Sequence, residues 1–536
     1  MTVKKPSTAV TRKKSPLNSH SFFPEKESTV FIAFIKTTAA RVACHRTRLD
    51  DTDMGTLLCE LKMEPSCSLD ISLRDGGEKK GTMSTRISKV LSLLFMAAAL
   101  GYVSCNRCSE SSKQAKNIVL IVLDAMRNDH ISLCGYPHRN SPNLERFAAM
   151  KDATHTCKAV APASWTLPSH ASYFTGVDAV THGAHSIMSG VKNINGWGGH
   201  NRRLEGDIPT LAEYMDAKGY QTVAYSANPV VNARLGLMRG FQKYYSAEDW
   251  YELFGDNFMP GLKRVLADQD QNRPTFLFIN IADAHQPWAP VPKGVSWSPH
   301  VPQRFSYRKH EPDSFWRTYV EGKTPEDVAK KRLEEIRAQY AWANHIADKN
   351  LGRAYDYLHE SGWCKEGCQF IVVSDHGEFM GEHNLLDHGH YVYEGMVRVP
   401  LLVFGGGSKI ELPEVLSAMN VHHLVKNRKL PDKPIPIAAA AWPHVRRCHH
   451  SNAKAYCSTS AAIWRGSEKT LFMDGKYYKY DLKKNPGETD LSDFLDKNPD
   501  KALLDLAKRV VDDREDMDAK IDKEVYEQLK ALGYMD

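Results

Sequence analysis

The sequence is short of the features that would point to nucleic acid. It carries 70 Lys+Arg against 64 Asp+Glu, a formal +6. That surplus lies at the front: residues 1–82 hold 14 basic and 10 acidic residues, and Arg86 and Lys89 supply the remainder. Everything downstream is electrically balanced and has no basic stripe, which argues against a nucleic-acid partner. Internal repeats are lacking too, so a solenoid or propeller is not expected. Cysteines number only 11. Cys364 and Cys368 have half the spacing of a zinc site, but no second pair stands at a matching distance, so a structural zinc is not expected. A bilayer-spanning run is also missing: Val90 to Val103 is apolar but short for a spanning helix.

That short run has a different meaning. Residues 83–105 read as a charged start (Arg86, Lys89), an apolar middle, and small Ser104 before Cys105. This is the pattern of an export signal, and it resembles a bacterial lipoprotein signal in which Cys105 would be lipidated. Tyr102, three residues before the cysteine, is unusual for such a signal. Translation is therefore expected to start at Met83. Residues 1–82, polar and without sustained periodicity, are expected to be an upstream extension without order. The alternative is a signal anchor that holds the chain to the membrane. Export to a periplasm or cell surface permits disulfides. Proximity suggests Cys364–Cys368 and Cys448–Cys457, with Cys134–Cys157 an option.

The body of the chain alternates two kinds of segment. Asn117 to Leu123, Gln221 to Ala227, Thr275 to Ile281, Gln369 to Val373 and Val399 to Phe404 are β-branched or apolar runs, as strands buried on both faces should be. Between them, helices are expected from Ser141 to about Met150, from Asp207 to Lys218, and from Pro325 to Gly362. The last carries Leu333, Ile336, Tyr340, Ala347, Leu351 and Leu358 mostly at three- and four-residue spacing. The alternation implies an α/β fold with a largely parallel sheet covered on both faces. Lys469 to Tyr480 suggests a hairpin turning near Asp474-Gly475, and Pro499 to Val511 an amphipathic helix. The divisions read from the sequence are an extension at 1–82, a signal at 83–105, a catalytic domain at 110–450 and a C-terminal α+β subdomain at 451–536.

Polar clusters follow three of the strands. Asp124 ends the first, Asp283 and His285 follow the third, and Asp375-His376 follow the fourth. Open α/β sheets place their sites at such strand ends. Singly, a strand-end Asp is ordinarily a cap. Jointly, carboxylates and an imidazole suit a hard-to-borderline divalent ion. Ser164 to Gly176 adds a nucleophile candidate. Pro168 suits a helix's first turn and Gly176 its C-terminal cap. The Thr166 hydroxyl then stands at a helix N-terminus, where free N–H groups favour an anion.

These stretches resemble the sulfatase family of the alkaline phosphatase superfamily. The resemblance runs from Asn117 to about Asp496. It rests on Asp124 to His130 with Gly135-Tyr136, and on Ser141 to Leu144. It rests also on Thr166-Leu167-Pro168-Ser169-His170 with Phe174-Thr175-Gly176, His182-Gly183 and Ala284 to Pro287. The most specific segment is Ser374 to Glu378 with Gly381-Glu382-His383, His388-Gly389 and Arg398 to Leu401. Lys479 to Leu482 with Asn485 to Glu488 completes it. The resemblance implies an alkaline phosphatase-like three-layer α/β/α sandwich with a large, mostly parallel, mixed sheet and a small C-terminal subdomain.

It also implies roles. Asp124, Asp375 and His376 would hold one divalent ion (Zn, Mn or Ca) with Thr166, the nucleophile. His285 and His388 would contact the transferred group or protonate the leaving group. His170, His182 and His390 are weaker substrate-binding candidates. A second ion held by Asp283, His285, His388 or His390 is a further option. The chain departs from the family in three places: Ala125 replaces a second Asp, His170 an Arg, and Thr166 the Cys or Ser that becomes formylglycine. No formylglycine is expected, and Thr166 is expected to act directly, on a phosphate mono- or diester of a small molecule, lipid or glycan. The rival readings are a sulfuric ester hydrolase without formylglycine and an inactive binding protein on the same fold.

Overall fold

The computed structural model describes residues 116–193, 196–248, 255–305, 314–443 and 454–514, with two short strands, Ala43–His45 and Leu58–Glu60, paired antiparallel in a separate unit. The proposed signal at 83–105, Cys105 and most of 1–82 lie outside the described residues.

In chain order the strands of the main sheet are β1 (Asn117–Leu123), β2 (Thr154–Val160), β3 (Gln221–Ser226), β4 (Lys243–Ser246), β5 (Thr275–Ile281), β6 (Cys368–Val373), β7 (Arg398–Phe404) and β8 (Leu416–Ser417). They lie side by side as β8-β2-β7-β6-β1-β5-β3-β4. Only β7 runs against its neighbours; every other pairing in the sheet is parallel. The mostly parallel, mixed sheet expected from the sequence is present, and the fold is alkaline phosphatase-like.

Strand periodicity builds the three layers. Along β1, Ile118, Leu120 and Val122 pack into one core, and Val119, Ile121 and Leu123 into the other. β5, β6 and β7 divide their side chains in the same way. Each face needs its own cover, because every second residue points to the opposite side. One face is covered by α2 (Thr166–Thr175), α3 (Leu211–Ala217) and α6 (Asn420–Asn427), through Leu167, Phe174, Leu211, Val421 and Leu424. The other is covered by α1 (Pro142–Ala148), α4 (Phe258–Leu266) and α5 (Glu326–Glu360). They supply Phe147, Leu262, Ala347, Leu351 and Leu358. Each large apolar side chain moved from water into these layers contributes about 1.5–3 kcal/mol.

A second sheet of four antiparallel strands follows: β9 (Ala438–Ala441), β10 (Ser460–Arg465), β11 (Glu468–Met473) and β12 (Lys476–Asp481), with α7 (Lys501–Arg514) against β10 and β11. The β11–β12 turn falls at Asp474-Gly475, both with positive φ, as a two-residue hairpin turn requires. β9 begins the sheet before residue 450, inside the stretch assigned from sequence to the catalytic domain. Tyr478 and Tyr480 of β12 belong to the same apolar core as α2 and β6. Disulfides join Cys134 to Cys157 and Cys364 to Cys368. Cys457 is also disulfide-bonded, and Cys448 lies outside the described residues. Among the described residues no helix is long and apolar enough to cross a membrane.

Candidate active site

Four adjacent parallel strands, β6, β1, β5 and β3, end on the same edge of the sheet. Each delivers a polar side chain there: Asp375 two residues past β6, Asp124 directly after β1, Asn280 within the end of β5, and Asn228 two residues past β3. Backbone pairing fixes the strands, so the side chains arrive with little freedom left to lose.

Asp124, Asp375 and His376 present ligand atoms within 4.8 Å of one another, all buried. His376 Nε2 lies 3.8 Å from Asp124 Oδ1 and 3.5 Å from Asp375 Oδ2. Its Nδ1 lies 2.8 Å from the Gly377 carbonyl oxygen, which can only accept, so the proton sits on Nδ1 and Nε2 keeps a lone pair. Thr166 is the first residue of α2, and its Oγ1 stands 3.3 Å from that Nε2. The structure therefore brings Asp124, Thr166, Asp375 and His376 to one place.

Two buried carboxylates side by side are costly. Burial, and then the neighbouring Asp375, push Asp124 up to about 7. Burial likewise pushes Asp375 up to about 7, against the Ala125 N–H that donates to its Oδ1 at 3.0 Å. Ala125 reaches that carboxylate from a left-handed backbone, φ 58°. Asp124 Oδ1 and Asp375 Oδ2 are buried and receive no hydrogen bond. An acceptor atom on each of two buried carboxylates, beside an imidazole lone pair and a hydroxyl, is a donor set that fits a divalent cation.

Asn228 and Asn280 were not found from sequence. Asn228 Nδ2 donates to Asp124 Oδ2 at 2.8 Å and to Thr166 Oγ1 at 3.3 Å, while its Oδ1 accepts from Val230 N at 2.8 Å. Asn280 Nδ2 donates to the same Asp124 Oδ2 at 2.9 Å. Their only signal is position, since both lie at strand ends, where a lone Asn is commonplace.

The histidines separate into kinds. The His388 ring lies 4.5 Å from His376, tilted against it, and 4.8 Å from His285, edge to face, centre to centre. Its Nδ1 meets Asp387 Oδ1 at 3.0 Å and Glu378 Oε2 at 3.2 Å. Burial pulls its pKa down, but Glu378, Asp124 and Asp375 outweigh it and the net shift is upward. His285 hydrogen-bonds through Nδ1 to the Gln286 carbonyl. His390 packs against Tyr456 at 4.3 Å, with Nδ1 on the His388 carbonyl. His170 is buried beneath Thr166, with Nδ1 2.9 Å from the Thr166 carbonyl and 3.4 Å from Asp375 Oδ2. Burial holds it down to about 3, so it is neutral.

Two sequence candidates are occupied elsewhere. His182 Nε2 faces Ser172 Oγ at 3.0 Å and the Pro168 carbonyl at 3.2 Å, and Nδ1 accepts from Ala184 N. It pins the chain to α2 and leaves no ring nitrogen for a substrate. The Asp283 carboxylate accepts from Gly255 N at 2.7 Å and Asn350 Nδ2 at 2.8 Å, so it is used for packing. The acidic residues beside His388 are Glu378 and Asp387, in place of Asp283.

A family model described as Sulfatase matches residues 116–426. The arylsulfatase of Clostridium perfringens (strain 13 / Type A) is 24% identical over 357 residues, covering 55% of this chain and 69% of that protein. The multifunctional alkaline phosphatase superfamily protein PehA of Trinickia caryophylli is 23% identical over 363 residues, covering 54% and 68%. The crystal structure of the phosphonate monoester hydrolase of Agrobacterium radiobacter superposes with a TM-score of 0.50 at 17% identity, covering 74% of this chain and 95% of that one. Fold and relatives define an enzyme acting on sulfuric or phosphoric esters. The chain belongs to the sulfatase family, within the alkaline phosphatase superfamily.

Proposed function

We propose that this chain is an exported, metal-dependent hydrolase or transferase of phosphate mono- or diesters, with Thr166 as its nucleophile. The observation that carries the reading is Thr166 itself. An unmodified hydroxyl opens α2, 3.3 Å from His376 Nε2 and 3.3 Å from the Asn228 amide. A threonine cannot give the formylglycine aldehyde, so the hydroxyl has to act directly. Asp124, Asp375 and His376 would hold one divalent ion (Zn, Mn or Ca). When bound, the ion supplies positive charge that lowers the pKa of a neighbouring hydroxyl and offsets charge on the transferred group.

Thr166 Oγ–H releases its proton to solvent, and Oγ attacks phosphorus in line, forming a phosphothreonine as the bond to the leaving oxygen breaks. The Asn228 amide is positioned to donate to Oγ while it carries charge. His388, held through Nδ1 by Glu378 and Asp387, delivers a proton to the departing oxygen. Water, or an acceptor hydroxyl on a second substrate, then resolves the phosphothreonine. Phosphorus suits this chemistry better than sulfur, because a sulfated threonine would have to be resolved by attack on a second ester.

The two described disulfides fit an oxidising compartment, in keeping with export. The relatives' printed names include an arylsulfatase and a phosphonate monoester hydrolase, so the ester panel has to span both chemistries. Turnover of aryl phosphate, phosphodiester, phosphonate and sulfate esters, with Thr166→Ala as the blank, tests the reading. Loss of the nucleophile should cost on the order of 10³-fold or more in rate, with Thr166→Ser partly active. Near-native turnover by Thr166→Ala overturns the nucleophile. Sulfate esters consumed far faster than every phosphate ester would replace this reading with the sulfatase one.

A further inference from the structure

The segment Leu386 to Glu394 carries Asp387, His388 and His390 past the candidate site. Leu386 and the residues from His390 to Glu394 are held by the small second sheet and the segments flanking its strands. The Tyr456 hydroxyl donates to the Leu386 carbonyl at 2.9 Å and accepts from Leu386 N at 3.3 Å. The Tyr391 hydroxyl donates to Asp474 Oδ2 at 2.9 Å, and Tyr393 reaches Met473 Sδ at 3.2 Å. Gly389 N donates to the Ser164 carbonyl at 2.9 Å, which ties the same segment to the stretch leading into Thr166.

The far end of the segment rests on a buried charge. Lys469, in β11, is 0% exposed. An ammonium has three N–H donors and no acceptor, and three acceptors surround this one. They are the Val392 carbonyl at 2.7 Å, Glu394 Oε1 at 3.2 Å and Glu488 Oε1 at 2.6 Å. The Trp464 ring lies 4.7 Å beneath it and donates its own N–H to Glu394 at 2.8 Å. Glu488 also takes the Glu394 N–H and the Tyr480 hydroxyl. A buried ion pair adds little net stability over a well-packed apolar replacement, and its best-attested use is to fix one arrangement out of several. What this pair fixes is the Val392–Glu394 backbone, four to six residues past His388.

We infer that Lys469 and Glu488 are positioning residues, which hold the Leu386–Glu394 segment so that His388 meets the departing oxygen. The inference rests on the reaction proposed above, in which His388 supplies the proton. Neither residue contacts the reacting atoms; they act through the backbone of the segment.

The test is a leaving-group comparison on the full chain. The paired variant Lys469→Met/Glu488→Gln removes the tether without leaving one buried charge alone, and Tyr456→Phe loosens the other end of the segment. Each is assayed on a 4-nitrophenyl ester and on an alkyl ester of the same acid. Phosphate and sulfate series are both run, and the comparison is read in the series the wild type turns over. A 4-nitrophenolate departs without a proton and an alkoxide does not. The paired variant should lose about 10²-fold in kcat on the alkyl ester, within the range of general-acid contributions, and less than about fivefold on the 4-nitrophenyl ester. KM and metal content per chain should stay level. Tyr456→Phe should show the same split at smaller size, and it carries the test should the paired variant fail to fold. Equal losses on both esters, or no loss on either, overturn the inference. Failure of the wild type on every phosphate ester overturns the proposed substrate class instead, and the split is then read on sulfates.

Discussion

The two carboxylates at the strand ends predict how metal affinity should depend on pH. Asp124 and Asp375 are both pushed up to about 7 in the metal-free protein, by burial first and by mutual repulsion at Asp124. Their protonated forms therefore persist near neutrality, and a cation has to displace those protons. With pKa values about 7, affinity should fall roughly tenfold per carboxylate between pH 8 and pH 6, or about 100-fold for the pair. His376 adds nothing to this slope, because burial and then His388 hold it down to about 3. A site limited by an ordinary histidine would lose affinity through one proton, with a midpoint about 6.5. Titration calorimetry in two buffers of different ionisation enthalpy counts the protons directly. About two should be released per ion at pH 6 and close to none from the carboxylates at pH 9. A proton still released at the upper pH comes from Thr166, and Thr166→Ala should abolish it. Asp124→Asn should halve the slope. An affinity that stays flat down to the ordinary carboxylate value of 3.8 would refute the reasoning.

Asn228→Leu removes the amide shared by Asp124 and Thr166. Metal affinity or kcat should drop about 10–100-fold, as measured by calorimetry and turnover, with the far-ultraviolet circular dichroism unchanged. Gly377→Ala would place a Cβ 2.1 Å from the Gly395 carbonyl oxygen and 2.9 Å from Arg127 Cγ. Backbone cannot yield there, so the variant should lose His376 geometry and bind metal poorly, and a native-like affinity would contradict the packing. Cys134→Ser/Cys157→Ser opens a bridge across 23 positions. Loop entropy puts its worth at about 3 kcal/mol, and a lowered denaturant midpoint in the purified protein checks it.

The sheet was readable because β1, β5 and β6 are continuous apolar runs that end in charged residues, and Thr275–Ile281 was located to the residue. Long α5 was readable from its three- and four-residue spacing. At the site, Asp124, Thr166, Asp375 and His376 could be named because each stands at an element's end and matches a family motif. What stayed hidden depends on distance across the fold. Nothing near Asn228 in the sequence says that its amide will reach residues 124 and 166. His182 looked functional because His182-Gly183 matches a family motif, and Asp283 because it lies in a strand-end polar cluster, yet their hydrogen bonds are spent on packing. Glu378 was quoted as part of a motif, but its partner His388 appears only when the loop folds back through Asp387, whose φ is 76°. The role of Lys469 depends on acceptors at 392, 394 and 488 and has no local signature at all.

The clamp on the His388 segment also has a consequence in time. A chain is made from its N-terminus, and Asp124 and Thr166 emerge first, hundreds of positions ahead of Lys469 and Glu488. Strands β1 to β7 can pair before the last sixth of the chain exists, but until then the segment that carries His388 keeps its contacts with Ser164 and Glu378 and lacks the hold of Lys469 and Glu488. At about 5–20 residues per second that interval lasts seconds to tens of seconds. During it the protein would hold a nucleophile and an ion with its proton donor not yet clamped. An enzyme assembled in this sequence would gain its full rate on poor leaving groups only when the hairpin Glu468–Asp481 and Glu488 have arrived.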